Sequence, residues 1–129
     1  MKHLLITLLF AFTLGTSIAV EVFKLSPNSN GLEEIDVSAD DEFGLQLEYH
    51  AGTGYEWIIE QSSPILIKTL TNSFDRDEND VRDGKPLVQH FNFIPKSFSE
   101  GKRTYLRFGL KRSWEAESVE IVEVIVNIN

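Results

Sequence analysis

From Val20 onward, apolar and polar residues alternate with a period of two through most of the chain, the pattern of strands with one face in a core and the other in water. Between Phe43 and Tyr49, the residues Phe43, Leu45, Leu47 and Tyr49 share a face, and Leu106, Phe108 and Leu110 do so within Thr104 to Leu110. Further strands are predicted over Val20 to Leu25, Glu33 to Val37, Glu56 to Glu60, Ile65 to Leu70, Leu87 to Ile94 and Ser118 to Ile128. Turn residues separate them, among them Pro27, Asn30-Gly31, Pro64 and Pro95. There is no internal repeat and no linker. About eight short antiparallel strands predict an all-β fold, an immunoglobulin-like β-sandwich.

The first residues follow a different pattern. Met1-Lys2-His3 is a short basic start, Leu4 to Leu14 an apolar run broken by threonines, and Gly15-Thr16-Ser17-Ile18-Ala19 a small-residue stretch. Those are the parts of a signal peptide, with Ser17 and Ala19 where signal peptidase requires small side chains. Cleavage after Ala19 would leave residues 20–129 as a single domain. An uncleaved anchor is the alternative, but a spanning helix needs ~20 apolar residues and this run is shorter. The expected destination is export: a periplasm or the medium, or in a eukaryote the lysosomal or phagosomal lumen.

A mature chain of about 110 residues buries roughly two-thirds of its unfolded surface, enough for one core. The chain has no cysteine, so neither a disulfide nor a thiol nucleophile is available. Its formal net charge of −8 becomes −9 once Lys2 departs with the signal. That balance argues against nucleic acid, and against an anionic membrane surface after signal cleavage.

The residues offer little for catalysis. Once His3 is gone, His50 and His90 remain, neither with zinc-ligand spacing or beside a nucleophile elbow. No carboxylate pair stands out as a glycosidase pair, and no Gly-rich phosphate loop is present. The charge-dense stretch Asp75 to Asp83 reads as an exposed loop. Asp75, Asp77 and Asn79 have the first three spacings of a calcium loop, but Asp80 stands where glycine is needed and Pro86 where a bidentate glutamate is needed. No catalytic residue, metal or cofactor is expected.

Three strings carry more information. His50-Ala51-Gly52-Thr53-Gly54-Tyr55-Glu56-Trp57 is a small-residue turn between two strands, nearly bare of side chains at its tip. Tyr55 and Trp57 share a strand face and read as support for that turn, with Trp57 in the core. Leu110-Lys111-Arg112-Ser113-Trp114-Glu115 places a tryptophan beside basic residues, types enriched at binding hot spots. A Trp114 folded back to cap the sandwich is the plainer alternative. Asp83-Gly84-Lys85-Pro86-Leu87-Val88-Gln89-His90-Phe91 joins the charged loop to a strand.

Together these strings resemble the chagasin-type inhibitors of papain-like cysteine proteases, over most of the mature chain. That family's first loop reads N-P-T-T-G-(F/Y)-x-W. Thr53, Gly54, Tyr55 and Trp57 match it, while His50, Ala51 and Gly52 replace the asparagine, proline and first threonine. The R-P-W loop is matched by Arg112 and Trp114, with Ser113 for the proline. The G-x-G-G loop keeps Gly84, followed by Lys85, but has Pro86 and Leu87 for the later glycines; His90-Phe91 keep the family's H-F strand.

The resemblance implies a reversible, non-covalent inhibitor, not an enzyme, whose partner is a papain-like cysteine protease. The loop His50, Ala51, Gly52, Thr53, Gly54, Tyr55 would enter the cleft over the catalytic cysteine, with Gly52 and Thr53 nearest the catalytic centre. Gly84, Lys85, Pro86 and Leu87 on one side, and Arg112, Ser113 and Trp114 on the other, would grip the rims, with Trp114 on the primed side. The family behaves as compact single domains, so a monomer is expected. The reading from a different class is an exported, non-catalytic sandwich used in adhesion or assembly, its three loops serving as turns.

Overall fold

A computed structural model describes residues 20–26, 32–50, 54–75 and 86–129, with residues 50, 75 and 86 described by their backbone alone. Eight strands form: β1 (Glu21–Leu25), β2 (Leu32–Val37), β3 (Phe43–His50), β4 (Tyr55–Gln61), β5 (Ile67–Asp75), β6 (Pro86–Pro95), β7 (Arg103–Arg112) and β8 (Glu120–Ile128). A 3-10 turn, Ser97–Ser99, lies between β6 and β7. The strands pair into two four-stranded sheets, ordered β1-β3-β6-β5 and β2-β8-β7-β4. Their inner faces supply one core, built on Phe43, Leu45, Phe91, Phe93, Phe108 and Val124. Phe91 and Phe108 meet across the two sheets with ring centroids 4.9 Å apart.

The all-β sandwich predicted by the alternation is therefore the fold, with two pairings that differ in direction. β1 runs parallel to β3, and β2 runs parallel to β8. The path of the chain explains it: β1, β2, β3, β4 and β5 lie in alternate sheets, so the edge strands β1 and β2 run the same way as their neighbours β3 and β8, while the edge strands β4 and β5 run opposite to β7 and β6. Hairpin pairing between consecutive strands is confined to β5–β6 and β7–β8.

This path gives the sandwich two poles. At the first, β3 ends and β4 begins, β5 ends and β6 begins, and β7 ends and β8 begins. The connections 38–42, 62–66 and 96–102 lie at the second. Val20 also lies there, beside Val37 and Phe43, and so does Asn129, whose amide donates to the carbonyl of Val37 at 2.8 Å.

Most strand ends fall within a residue of the alternation, and the larger differences are in β5, β7 and β8. β5 covers 67–75 instead of 65–70, because a turn claims 63–66: the amides of Leu66 and Ile67 both donate to the carbonyl of Ser63, at 2.9 and 3.0 Å. β6 begins at Pro86, which suits the first position of a strand, where a missing N–H costs little. β7 runs on through Lys111 and Arg112, and β8 starts two residues late, at Glu120. Segment 1–19, the turn at 27–31 and the charged stretch 76–83 lie outside the described residues. Among the described residues, no helix is long and apolar enough to cross a membrane.

Candidate functional site

The described stems of the three strings lie at the first pole, where they are tied to one another in both sheets. His50 is the Cα partner of Pro86 in one sheet, and Tyr55 is that of Arg112 in the other. The two sheets are pinned together just below. Trp57 is fully buried, and its indole N–H donates to the carbonyl of Glu48 at 2.8 Å.

A buried amide adds a second pin. Gln89 occupies a core-facing position of β6 between Leu87 and Phe91, with no exposed surface. Its Oε1 accepts from the amide of Trp57 at 2.9 Å, and its Nε2 donates to the carbonyl of Trp57 at 2.8 Å and to Asn72 Oδ1 at 2.9 Å. β4 is an edge strand, and the Gln89 side chain offers its outer edge the donor and acceptor that a neighbouring strand would supply.

Beyond β7, the chain turns sharply at Arg112–Glu115. The amide of Glu115 donates to the carbonyl of Arg112 at 3.0 Å, and the amide of Arg112 donates to Glu115 Oε1 at 3.0 Å. Arg112 Nη2 lies 3.4 Å from Glu115 Oε2. The Arg112 amide bond, reinforced by the guanidinium, holds the Glu115 carboxyl below the usual glutamate range. Ser113 and Trp114 form the apex of this turn, and Trp114 is 71% exposed.

Arg112 itself faces inward. Its Nη2 donates to the Tyr55 hydroxyl at 2.8 Å. Its guanidinium carbon lies 4.4 Å from the centroid of the Tyr55 ring and 5.4 Å from that of Trp114. It is a strut joining the foot of the 50–55 loop to the tryptophan turn. Gly54 completes this junction with φ +85°, and a β-carbon there would stand 3.2 Å from Trp114 Cη2. The loops are thus locked to each other on the side that Gly54, Tyr55, Arg112 and Trp114 share.

Of the other predicted site residues, Leu87 is half-buried on the core face of β6, opposite Tyr49. Ala51, Gly52, Thr53, Gly84 and Lys85 lie outside the described residues. Among the described residues, no group of three His, Cys, Asp or Glu is placed to hold a metal. Sequence reasoning passed over Gln89 and Glu115. Gln89 left a signal, a polar residue in an apolar register; Glu115 stood in the quoted string without a role.

The described residues form a β-sandwich with an exposed, strutted tryptophan at one pole, beside the foot of the 50–55 loop. The model of the chagasin family of peptidase inhibitors, I42, matches residues 36–128, and the chain belongs to that family. Solved structures share the fold at low identity. The cysteine protease inhibitor EhICP2 from Entamoeba histolytica is 18% identical with a TM-score of 0.67, the match covering 88% of this chain and 100% of that one. Amebosin is 16% identical with a TM-score of 0.61, over 87% and 100%. PbICP-C, solved in complex with falcipain-2, is 17% identical with a TM-score of 0.62, over 84% and 99%. Curated protein sequences give no match.

Proposed function

We propose that this chain is a reversible, non-covalent inhibitor of papain-like cysteine proteases, acting through the pole that carries Trp114. Family membership supports the class of activity. The partner class is supported by two structural relatives: one is named a cysteine protease inhibitor and the other was solved on falcipain-2. The observation that carries the site is Trp114, 71% exposed yet braced by Arg112 and Glu115 beside the foot of the 50–55 loop. No bond is made or cut. The 50–55 loop occupies the cleft, and Trp114 and the 84–87 segment hold its rims. Fixing Trp114 and the foot of the 50–55 loop before docking keeps their share of the ordering cost of binding low.

The test is inhibition of papain on a small substrate by a chain beginning at Val20. Trp114→Ala is expected to weaken inhibition by ~2 kcal/mol or more, roughly thirtyfold, with the circular-dichroism spectrum unchanged. An unaltered inhibition constant would remove Trp114 from the interface.

Export belongs to the same proposal. The basic start, the apolar run and the small residues before Val20 support a leader cut after Ala19. N-terminal sequencing of the released protein should begin at Val20, and an intact Met1 would count against it.

A further inference from the structure

The limb that brings the chain back from Trp114 to β8 has a fastening of its own. β7 outruns β8 by two residues: Leu110 pairs with Glu120, and Val119 N–H donates to the Leu110 carbonyl at 2.8 Å. Lys111 and Arg112 therefore have strand partners on the β4 side, Glu56 and Tyr55, and residues 113–119 must fold back to reach Glu120. Glu115 fixes the outbound limb. The return limb is held by the Ser118 hydroxyl, which donates to Glu60 Oε2.

That bond crosses the outer face of β7. Glu60 is the extra residue of a bulge in β4, where Ile59 pairs with Phe108 and Gln61 already pairs with Arg107. A bulge re-aims its side chain, and here the carboxylate is directed over the neighbouring strand. Its Oε1 accepts from Arg107 Nε at 3.0 Å while its Oε2 serves Ser118. Beneath the contact lies Gly109, buried on what would be a solvent face; a β-carbon there would overlap both Ser118 Oγ and the Glu60 carboxylate. The Ser118 bond, helped by Arg107, holds the Glu60 carboxyl below the usual range.

We infer that Glu60 is a positioning residue for Trp114: through Ser118, across the bare backbone of Gly109, it secures the return limb of the turn so that the indole meets its partner already oriented. This rests on the inhibitor reading for its consequence, though not for its geometry. The contact is on the surface and adds little to global stability. Its effect is on the freedom of residues 116–119.

The test uses the two tryptophan indole N–H groups of the 15N-labelled chain. Trp57, buried and bonded to Glu48, is the internal reference. In Glu60→Ala and Ser118→Ala, the heteronuclear NOE of the Trp114 indole should fall while that of Trp57 stays. Glu60→Gln, whose amide oxygen still accepts from Ser118, should restore it. Inhibition of papain should weaken roughly two- to tenfold in Glu60→Ala and recover in Glu60→Gln. An unchanged Trp114 NOE in Glu60→Ala would overturn the proposal. So would full inhibition by Glu60→Ala alongside loss in Trp114→Ala, which leaves the inhibitor reading standing. A wild-type chain that does not inhibit papain would sink that reading and this role in it, while the NOE alone still reports whether the clamp exists.

Discussion

Gln89 shows how much one side chain can carry in a small sandwich. Its amide satisfies both polar groups of the Trp57 peptide on the free edge of β4, inside a core where water cannot substitute. Gln89→Leu keeps the size and removes the partners, so it is expected to destabilise the fold by ~2 to 4 kcal/mol. Urea unfolding followed by circular dichroism measures this; a loss below ~1 kcal/mol would mean that Trp57 finds other partners. The sequence showed the oddity, a glutamine flanked in register by Leu87 and Phe91, but not its answer. The answering peptide lies 32 residues away in the other sheet, and periodicity reports a residue's face without reporting what meets it. Arg112 is a similar case. Its type and neighbours read as a contact residue, and they did not announce that its guanidinium also packs on Tyr55 and Trp114.

At the scale of elements, the alternation located all eight strands and misjudged those whose period breaks. β5 carries a bulge between Thr69 and Thr71, so Ile67 and Phe74 share the inner face although their spacing is odd. A strict period of two cannot follow that change, and the strand was cut short at Leu70. The turn after β7 was legible as an exposed tryptophan string, but its stiffness was not, because it depends on a carboxylate folding back on its own chain. That carboxylate brings a pH dependence. Glu115 titrates below its unfolded value, chiefly through the Arg112 amide and then its guanidinium, with Lys111 adding attraction. Its contribution is thus full above the ordinary glutamate range and is lost as pH falls through the lowered value. The Trp114 indole NOE should hold from neutral pH to pH 5 and decline below about pH 4. A decline already complete at pH 5 would contradict the assignment.

At the scale of the molecule, stability rests on packing. The chain has no cysteine, and one aromatic-rich core joins the two sheets through Trp57, Gln89 and the Phe91–Phe108 contact. Size and alternation made this scale the most readable, since one buried face per sheet leaves few ways to assemble eight strands. The arrangement of the poles was not readable, because it depends on which sheet each successive strand joins. A folded carrier fused before Val20 or after Asn129 is expected to leave the papain inhibition constant within about twofold, as no interface residue is covered. Greater weakening by either fusion would place the interface elsewhere.

Val20 and Asn129 both leave from the pole remote from Trp114. Whatever precedes or follows them, a leader still in its membrane or a neighbouring domain, holds the molecule by its base. A tethered copy and a free one would then confront a protease with the same leading edge, so anchoring would govern where inhibition takes place and leave its strength untouched.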